Sequence, residues 1–208
     1  MRLYLASTSP ARLATLRAVG IEPILLASNV DEDAAVAAAG PLTPEEMVAL
    51  LGRLKAEAVV GRLVDDEPID GFILGGDSAF ELDGIVYGKP HRPEVARERW
   101  MLQRGREGHL HSGHWLIDHR AGQVAGAVGG VSTSAVRFAD DISDDEIDAY
   151  IATGEPLQVA GAFTIDSLGA PFIAEVRGDP HAVVGLSVAL LRTLLLSFSV
   201  PIHELRNR

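Results

Sequence analysis

The sequence predicts an α/β protein, because short apolar runs that read as strands alternate with amphipathic runs that carry helix caps. Two capping-box spacings, Thr43 with Glu46 and Ser143 with Glu146, mark helix starts. Asp83-Gly84 between β-prone flanks marks a hairpin, which brings some antiparallel pairing into the sheet. At 208 residues and 47% hydrophobic, the chain can bury a full core. No repeat, low-complexity tract or polar linker divides it, so residues 1–208 read as one domain. Aromatics make up only 5%, which predicts an aliphatic core.

In chain order, "LYLA" (residues 3–6) is short, apolar and bounded by turn-formers, as a buried strand would be. Ser9 suits an N-cap and Pro10 the first helical position. Leu13, Leu16 and Val19 then line one helix face, which Gly20 ends. "EPILLASN" reads as a second strand leading into the acidic run "VDED". The helix opened by Thr43 has Met47, Leu50, Leu51 and Leu54 as its stripe, with Lys55 at the stripe's edge. "FILGG" (residues 72–76) reads as a buried strand ending directly in Asp77-Ser78. A helix is predicted over 93–104, strands around "HLHSGHWLI" and "GVSTSAVRF", and a helix from Ser143 that Gly154 ends. Strands around "GAFTID" and "PFIAEV" precede a C-terminal helix.

A net charge of −11 repels polyanions and argues against a nucleic acid polymer or an acidic membrane as partner. A small anion remains admissible where a few cations converge. The absence of cysteine excludes disulfides, thiolate catalysis and Cys-ligated zinc. The N-terminus has no long apolar core of a signal peptide. "AVVGLSVALLRTLLLSFSV" is the only membrane candidate, but Arg192 at its middle favours a buried helix. A cytoplasmic protein is expected.

A strand that feeds a helix through Ser7-Thr8-Ser9-Pro10 presents backbone N–H groups, hydroxyls and a positive dipole end, which together suit an anion. Arg12 adds a fork matched to phosphate oxygens. On this stretch alone, an ordinary capped helix with a surface arginine reads equally well. Asp77 follows two glycines at a strand end, where it could hold a divalent metal or take a proton from water, or merely end the strand. Lys55 and Lys89 each read alone as solvated lysines. Gathered with Arg12 around a carboxylate, they would suit a triphosphate and its metal. "VDED" offers Asp31 and Glu32 as further metal ligands or, more simply, a solvated loop. His109, His111 and His114 lack the fourth ligand of a tetrahedral zinc set, and no Gly-x-Ser-x-Gly elbow is present.

Taken in order, these pieces resemble the Maf family, the septum-formation inhibitor-like nucleoside triphosphate pyrophosphatases. "LASTSPAR" is similar to the family's Leu-Ala-Ser-x-Ser-Pro-Arg-Arg opening, "VDE" to its acidic loop and "LKAEA" to its helix lysine. "GGDSAFELDGIVYGKP" resembles the Gly-x-Asp-Thr segment with its Gly-Lys-Pro turn. "YIATGEPLQVAGAFTIDSLG" and "DPHAVVGLSVALL" resemble the C-terminal signatures. The resemblance implies hydrolysis between the α and β phosphates with a divalent cation, Mg2+ or Mn2+. It also implies a mixed sheet flanked by helices, with a cleft between two lobes as in inosine triphosphate pyrophosphatases, a homodimer, and a link to arrest of septum formation. By position it makes Asp77 the catalytic acid/base and a metal ligand, and Glu32 a second metal ligand. Ser7 and Ser9 line a phosphate cradle, and Arg12, Lys55 and Lys89 contact phosphate. Three departures, Ala11 for arginine, Ser78 for threonine and Asp166 for Gln or Glu, fall where the family chooses its base. Ser187 stands in place of a usual proline. Rival readings are an inosine/xanthosine triphosphate house-cleaning enzyme and a nucleotide-sensing regulator of division without turnover.

Overall fold

In the computed structural model, which describes residues 1–207, strands and helices alternate as β1 (Leu3–Leu5), α1 (Pro10–Ala18), β2 (Ile24–Leu25), α2 (Glu32–Ala39), α3 (Pro44–Glu57), β3 (Leu63–Val64) and β4 (Glu67–Pro68). The chain continues through β5 (Gly71–Leu82), β6 (Ile85–Tyr87), α4 (Pro93–Gln103), β7 (Glu107–His119), β8 (Gly126–Phe138) and α5 (Asp144–Ala152). It ends with β9 (Ile173–Arg177), α6 (Pro180–Val184) and α7 (Val188–Leu196). The sheet has the order β2-β1-β5-β7-β8-β9, with β6 on β5, while β3 and β4 form a separate pair. β1 runs parallel to β2 and β5, whereas β5–β6 and β8–β9 are antiparallel. The class is therefore α/β with a mixed sheet. The chain groups into two compact units, one of Met1–Asp77, Ser112–Ser132 and the segment from Gly185 onward, the other of Ser78–His111 and Thr133–Val184.

In the first unit β1 and β5 are covered on both faces, so their residues sort by alternation. Leu3, Leu5, Phe72 and Leu74 pack with Leu16, Leu191 and Leu195 on one face. Tyr4, Ala6 and Ile73 pack with Ala56 and Val59 on the other. α3 lies almost backbone to backbone on the sheet. A Cβ at Gly75 would stand 2.1 Å from the Gly52 carbonyl oxygen and 2.7 Å from the Ala56 nitrogen; one at Gly113 would stand 2.3 Å from the Val48 oxygen. That contact turns Val48, Leu51, Gly52, Lys55 and Ala56 inward. Of the predicted stripe Leu51 is buried, whereas Met47, Leu50 and Leu54 are only half-buried, because the glycines favour the smaller face.

The second unit has a different core. Trp100 meets Phe138 and Tyr150 edge-on at 5.5 Å each, and Phe138 meets Phe163 at 5.0 Å. The expected aliphatic core better describes the first unit, where Phe72 and Tyr4 are the buried aromatics; here most of the aromatics are concentrated in one cluster, and composition carries no information on location. Glu155 gathers the loop that follows. Its carboxylate accepts from Tyr150 Oη (3.0 Å), Thr164 Oγ1 (2.6 Å), Ser167 Oγ (2.6 Å) and the amides of Leu168 (3.3 Å) and Gly169 (3.1 Å). Burial opposes its ionisation, but hydrogen bonds from Ser167, Thr164, Tyr150 and the Leu168 amide outweigh that and hold the carboxyl below its usual range.

Both capping boxes form. Leu82 pairs with Ile85 across Asp83 (φ 54°) and Gly84 (φ 79°), the left-handed pair that a two-residue hairpin requires. Four expectations are corrected. β5 does not end at Asp77; it continues to Leu82 because Phe80 and Leu82 are core residues of the second unit. The acidic run opens a helix, α2, in which Asp31 is the N-cap accepting from the Ala34 amide at 3.0 Å. "GAFTID" is not a strand, since left-handed dihedrals at Gly161 and Ala162 turn the chain. The C-terminal helix breaks at Gly185 (φ 122°) into α6 and α7. Arg192 is exposed on α7, and no helix among the described residues is long and apolar enough to cross a membrane.

Gly75→Ala and Gly113→Ala are each expected to overpack the helix–sheet contact, costing about 1–3 kcal/mol. Gly88→Ala, where a Cβ meets nothing within 4 Å, serves as the neutral control in thermal melts. Glu155→Gln should lose about 1.5–3 kcal/mol at neutral pH, the range for hydrogen bonds to a charged group. Because the native carboxyl lies below its ordinary 4.5, this stability is present above that value. The gap between variant and wild type in urea melts should therefore close as pH falls through the lowered native value.

Candidate active site

The hydroxyl-rich turn is built by its own side chains. Ser9 caps α1 by accepting from the Arg12 amide at 3.4 Å, and Pro10 occupies the first turn. Ser7 Oγ accepts from the Ser9 amide and from Arg12 Nη1, both at 3.1 Å. Arg12 is buried, and its Nε donates to the Gly185 carbonyl at 2.9 Å. A Cβ on Gly76 would lie 3.4 Å from that Nε, so the guanidinium passes directly under the backbone preceding Asp77. Burial pushes the guanidinium's pKa down, against the attraction of Asp77 and Glu32. The surface-arginine alternative for this position is thereby removed.

Lys55 is also buried. The close seat of α3 on β5 delivers its Nζ to 2.6 Å from Asp77 Oδ1, and the start of α2 brings Glu32 Oε1 to 2.7 Å. Asp77 is almost wholly enclosed, whereas the Glu32 side chain is 49% exposed and opens the site to solvent. Beside them lies a pocket of about 220 Å³, lined by Ser7, Thr8, Ser28, Asn29, Glu32 and Lys55 among others. Two cations, two carboxylates and several hydroxyls thus converge in the first unit. Such a set can bind an anion, accept a proton and share a cation with phosphate oxygens.

The other expected site residues lie elsewhere. Ala11 is half-buried on α1, where its carbonyl accepts from Thr15 Oγ1 at 3.0 Å. Ser78, Lys89 and Asp166 belong to the second unit. Ser78 is half-buried in β5, and Lys89 is exposed just beyond β6. Asp166 is exposed at the crest of the loop gathered by Glu155. Among the described residues no cluster of three His, Asp or Glu side chains is placed to hold a metal, and Glu32 and Asp77 both face Lys55. His111 and His114 engage protein partners. His111 meets Thr133 Oγ1 at 2.9 Å and Glu81 at 3.4 Å; His114 meets the Ser112 carbonyl at 3.1 Å and the Ser187 amide at 3.0 Å.

Sequence reasoning missed Ser28 and Asn29 as lining residues, and Gly185 as the anchor of Arg12. Asn29 offered a signal: it follows an apolar run, and asparagine tolerates the left-handed dihedral (φ 54°) that it adopts. Gly185 lies 173 residues from Arg12, and nothing local announces that contact.

The family model for Maf-like proteins matches residues 2–198. A nucleoside triphosphate pyrophosphatase of Leifsonia xyli subsp. xyli is 66% identical over 212 residues, covering 100% of this chain and 98% of that one. One from Salinispora tropica is 50% identical over 208 residues, covering 100% and 88%. Among solved structures, the Ham1 protein of Staphylococcus aureus has a TM-score of 0.48 at 13% identity, over 96% of this chain and 100% of its own. With a match across nearly its whole length, and relatives this close that span it end to end, the chain belongs to the Maf-like protein family.

Proposed function

We propose that the chain is a nucleoside triphosphate pyrophosphatase, cleaving the bond between the α and β phosphates to yield a nucleoside monophosphate and pyrophosphate. The observation that carries this reading is the Lys55 ammonium held between Asp77 and Glu32, beside the buried Arg12 and the Ser7–Ser9 turn. The names of the relatives support the same activity.

Arg12 and Lys55 bind the phosphate oxygens and neutralise charge that builds on the leaving pyrophosphate, and Lys89 is a further phosphate contact by its family position. Ser7 and Ser9 hold the turn that aims Arg12. Asp77 orients the attacking water. Lys55 fixes its Oδ1, and Oδ2 takes a proton as the water oxygen bonds to the α-phosphorus and the bridging oxygen departs. Glu32 and Asp77 would hold a divalent cation. Their carboxylate oxygens are hard ligands that already surround one positive charge, and Mg2+ or Mn2+ needs only one or two such groups when phosphate oxygens and water complete its shell. When bound, that cation supplies charge neutralisation at the phosphate.

Base choice falls to Asp166 in this reading, with Ala11 and Ser78 as secondary positions. An ionised carboxylate only accepts hydrogen bonds, so it suits a base edge rich in donors, such as that of guanine or a methylated guanine.

Asp77→Asn should keep the fold and lower pyrophosphate release by about 10²–10⁴-fold, the usual loss for a positioned general base. Wild-type turnover in the folded variant would reject the mechanism. Asp166→Gln should shift preference towards uridine or thymidine triphosphate by roughly 1–3 kcal/mol, the cost of a polar mismatch. An unchanged ratio of rates across a nucleotide panel would remove Asp166 from base recognition.

A further inference from the structure

Arg12 is aimed by a turn remote in sequence, and that turn is itself tied down. Gly185 presents its carbonyl to Arg12 Nε at 2.9 Å while adopting a dihedral (φ 122°) that favours glycine. Leu186, the next residue, is buried in the first unit's core. Ser187 then caps α7, its Oγ accepting from the Leu190 amide at 3.0 Å. The Ser187 amide precedes the helix and has no helical partner of its own. It donates to His114 Nε2 at 3.0 Å, with both residues almost fully buried.

This geometry assigns the histidine's tautomer. His114 Nδ1 lies 3.1 Å from the Ser112 carbonyl oxygen, which can only accept, so Nδ1 carries the proton and Nε2 is the acceptor. A buried N–H that loses its acceptor forces its neighbourhood to rearrange. Here the neighbourhood is the turn whose carbonyl fixes Arg12. Proline at position 187 would have no N–H to donate, so the acceptor nitrogen of His114 has this partner only because residue 187 is not proline.

We propose that His114 is a positioning residue, which holds the 185–187 turn through the Ser187 amide and so keeps Arg12 aimed at the phosphate chain of the substrate. The proposal rests on the phosphate-binding role of Arg12. His114 touches neither the substrate nor the reacting atoms.

The dissociation constant of inorganic triphosphate, measured by calorimetry, and KM for a turned-over nucleoside triphosphate read the effect directly. His114→Leu should raise both by about tenfold, the scale of one misplaced charged hydrogen bond. His114→Gln, whose side-chain oxygen can accept from the Ser187 amide, should recover most of the loss. Ser187→Pro, compared with Ser187→Ala, which loses the α7 cap but keeps the amide, should reproduce the loss of His114→Leu, and it stands in should the leucine variant fail to fold. In an Arg12→Ala background His114→Leu and Ser187→Pro should change affinity less than about twofold, because residues acting through one group are not additive. An equal loss with and without Arg12 would overturn the proposal, as would unchanged affinity in Ser187→Pro. Should Arg12→Ala alone bind triphosphate as tightly as wild type, the phosphate role of Arg12 falls, and the proposal with it. A loss in Arg12→Ala but none in His114→Leu overturns the proposal while leaving that role standing.

Discussion

No side chain separates α3 from the sheet at Gly52, Gly75 and Gly113, and the geometry of the site depends on that absence. With the helix backbone pressed against β5 and β7, a lysine one turn beyond Gly52 reaches a strand aspartate without extending into solvent. A helix set back by the width of one methyl would carry Lys55 away from Asp77 and expose the lower faces of both. The glycines therefore fix a distance rather than supply chemistry. Glu32 joins only because Asp31 caps α2 and sets the first helical residue towards Lys55.

Local signals carried most of the fold. Thr43 and Ser143 form their capping boxes, and Asp83-Gly84 forms the hairpin, because each is a contest among a few neighbouring atoms. What was not legible depends on distant partners. The inward face of α3 could be read only in part from its largest apolar residues, of which Leu51 alone is buried, since the deciding contact is with glycines on other strands. β5 runs past Asp77 because its far half is paired with β6 and buried in another core. The chain at Gly161 and Ala162 turns where β-prone neighbours suggested a strand, because Gly161 fits against Phe80 and Phe163 with no space for a Cβ.

The site divides in the same way. Ser9 as cap and Arg12 in the first turn were visible from spacing, and Asp77 from its glycines. Lys55, Lys89 and Glu32 each read as ordinary surface charges until a family pattern set them in order. The structure joins Glu32 and Asp77 to Lys55 through ion pairs. The departure at Ser187 had no consequence in the sequence alone; its amide acquires one only when β7 brings His114 beside it.

In a chain with eleven excess negative charges, two neighbouring carboxylates are an arrangement that solution cations would ordinarily neutralise. Instead Lys55 acts as a counter-ion tethered to the same helix that builds the site. A tethered ion has a fixed local concentration, whatever salt surrounds the protein. Lys55 and the buried Arg12 guanidinium set two positive charges against Asp77 and Glu32, so this corner carries its own counter-charges once α3 docks.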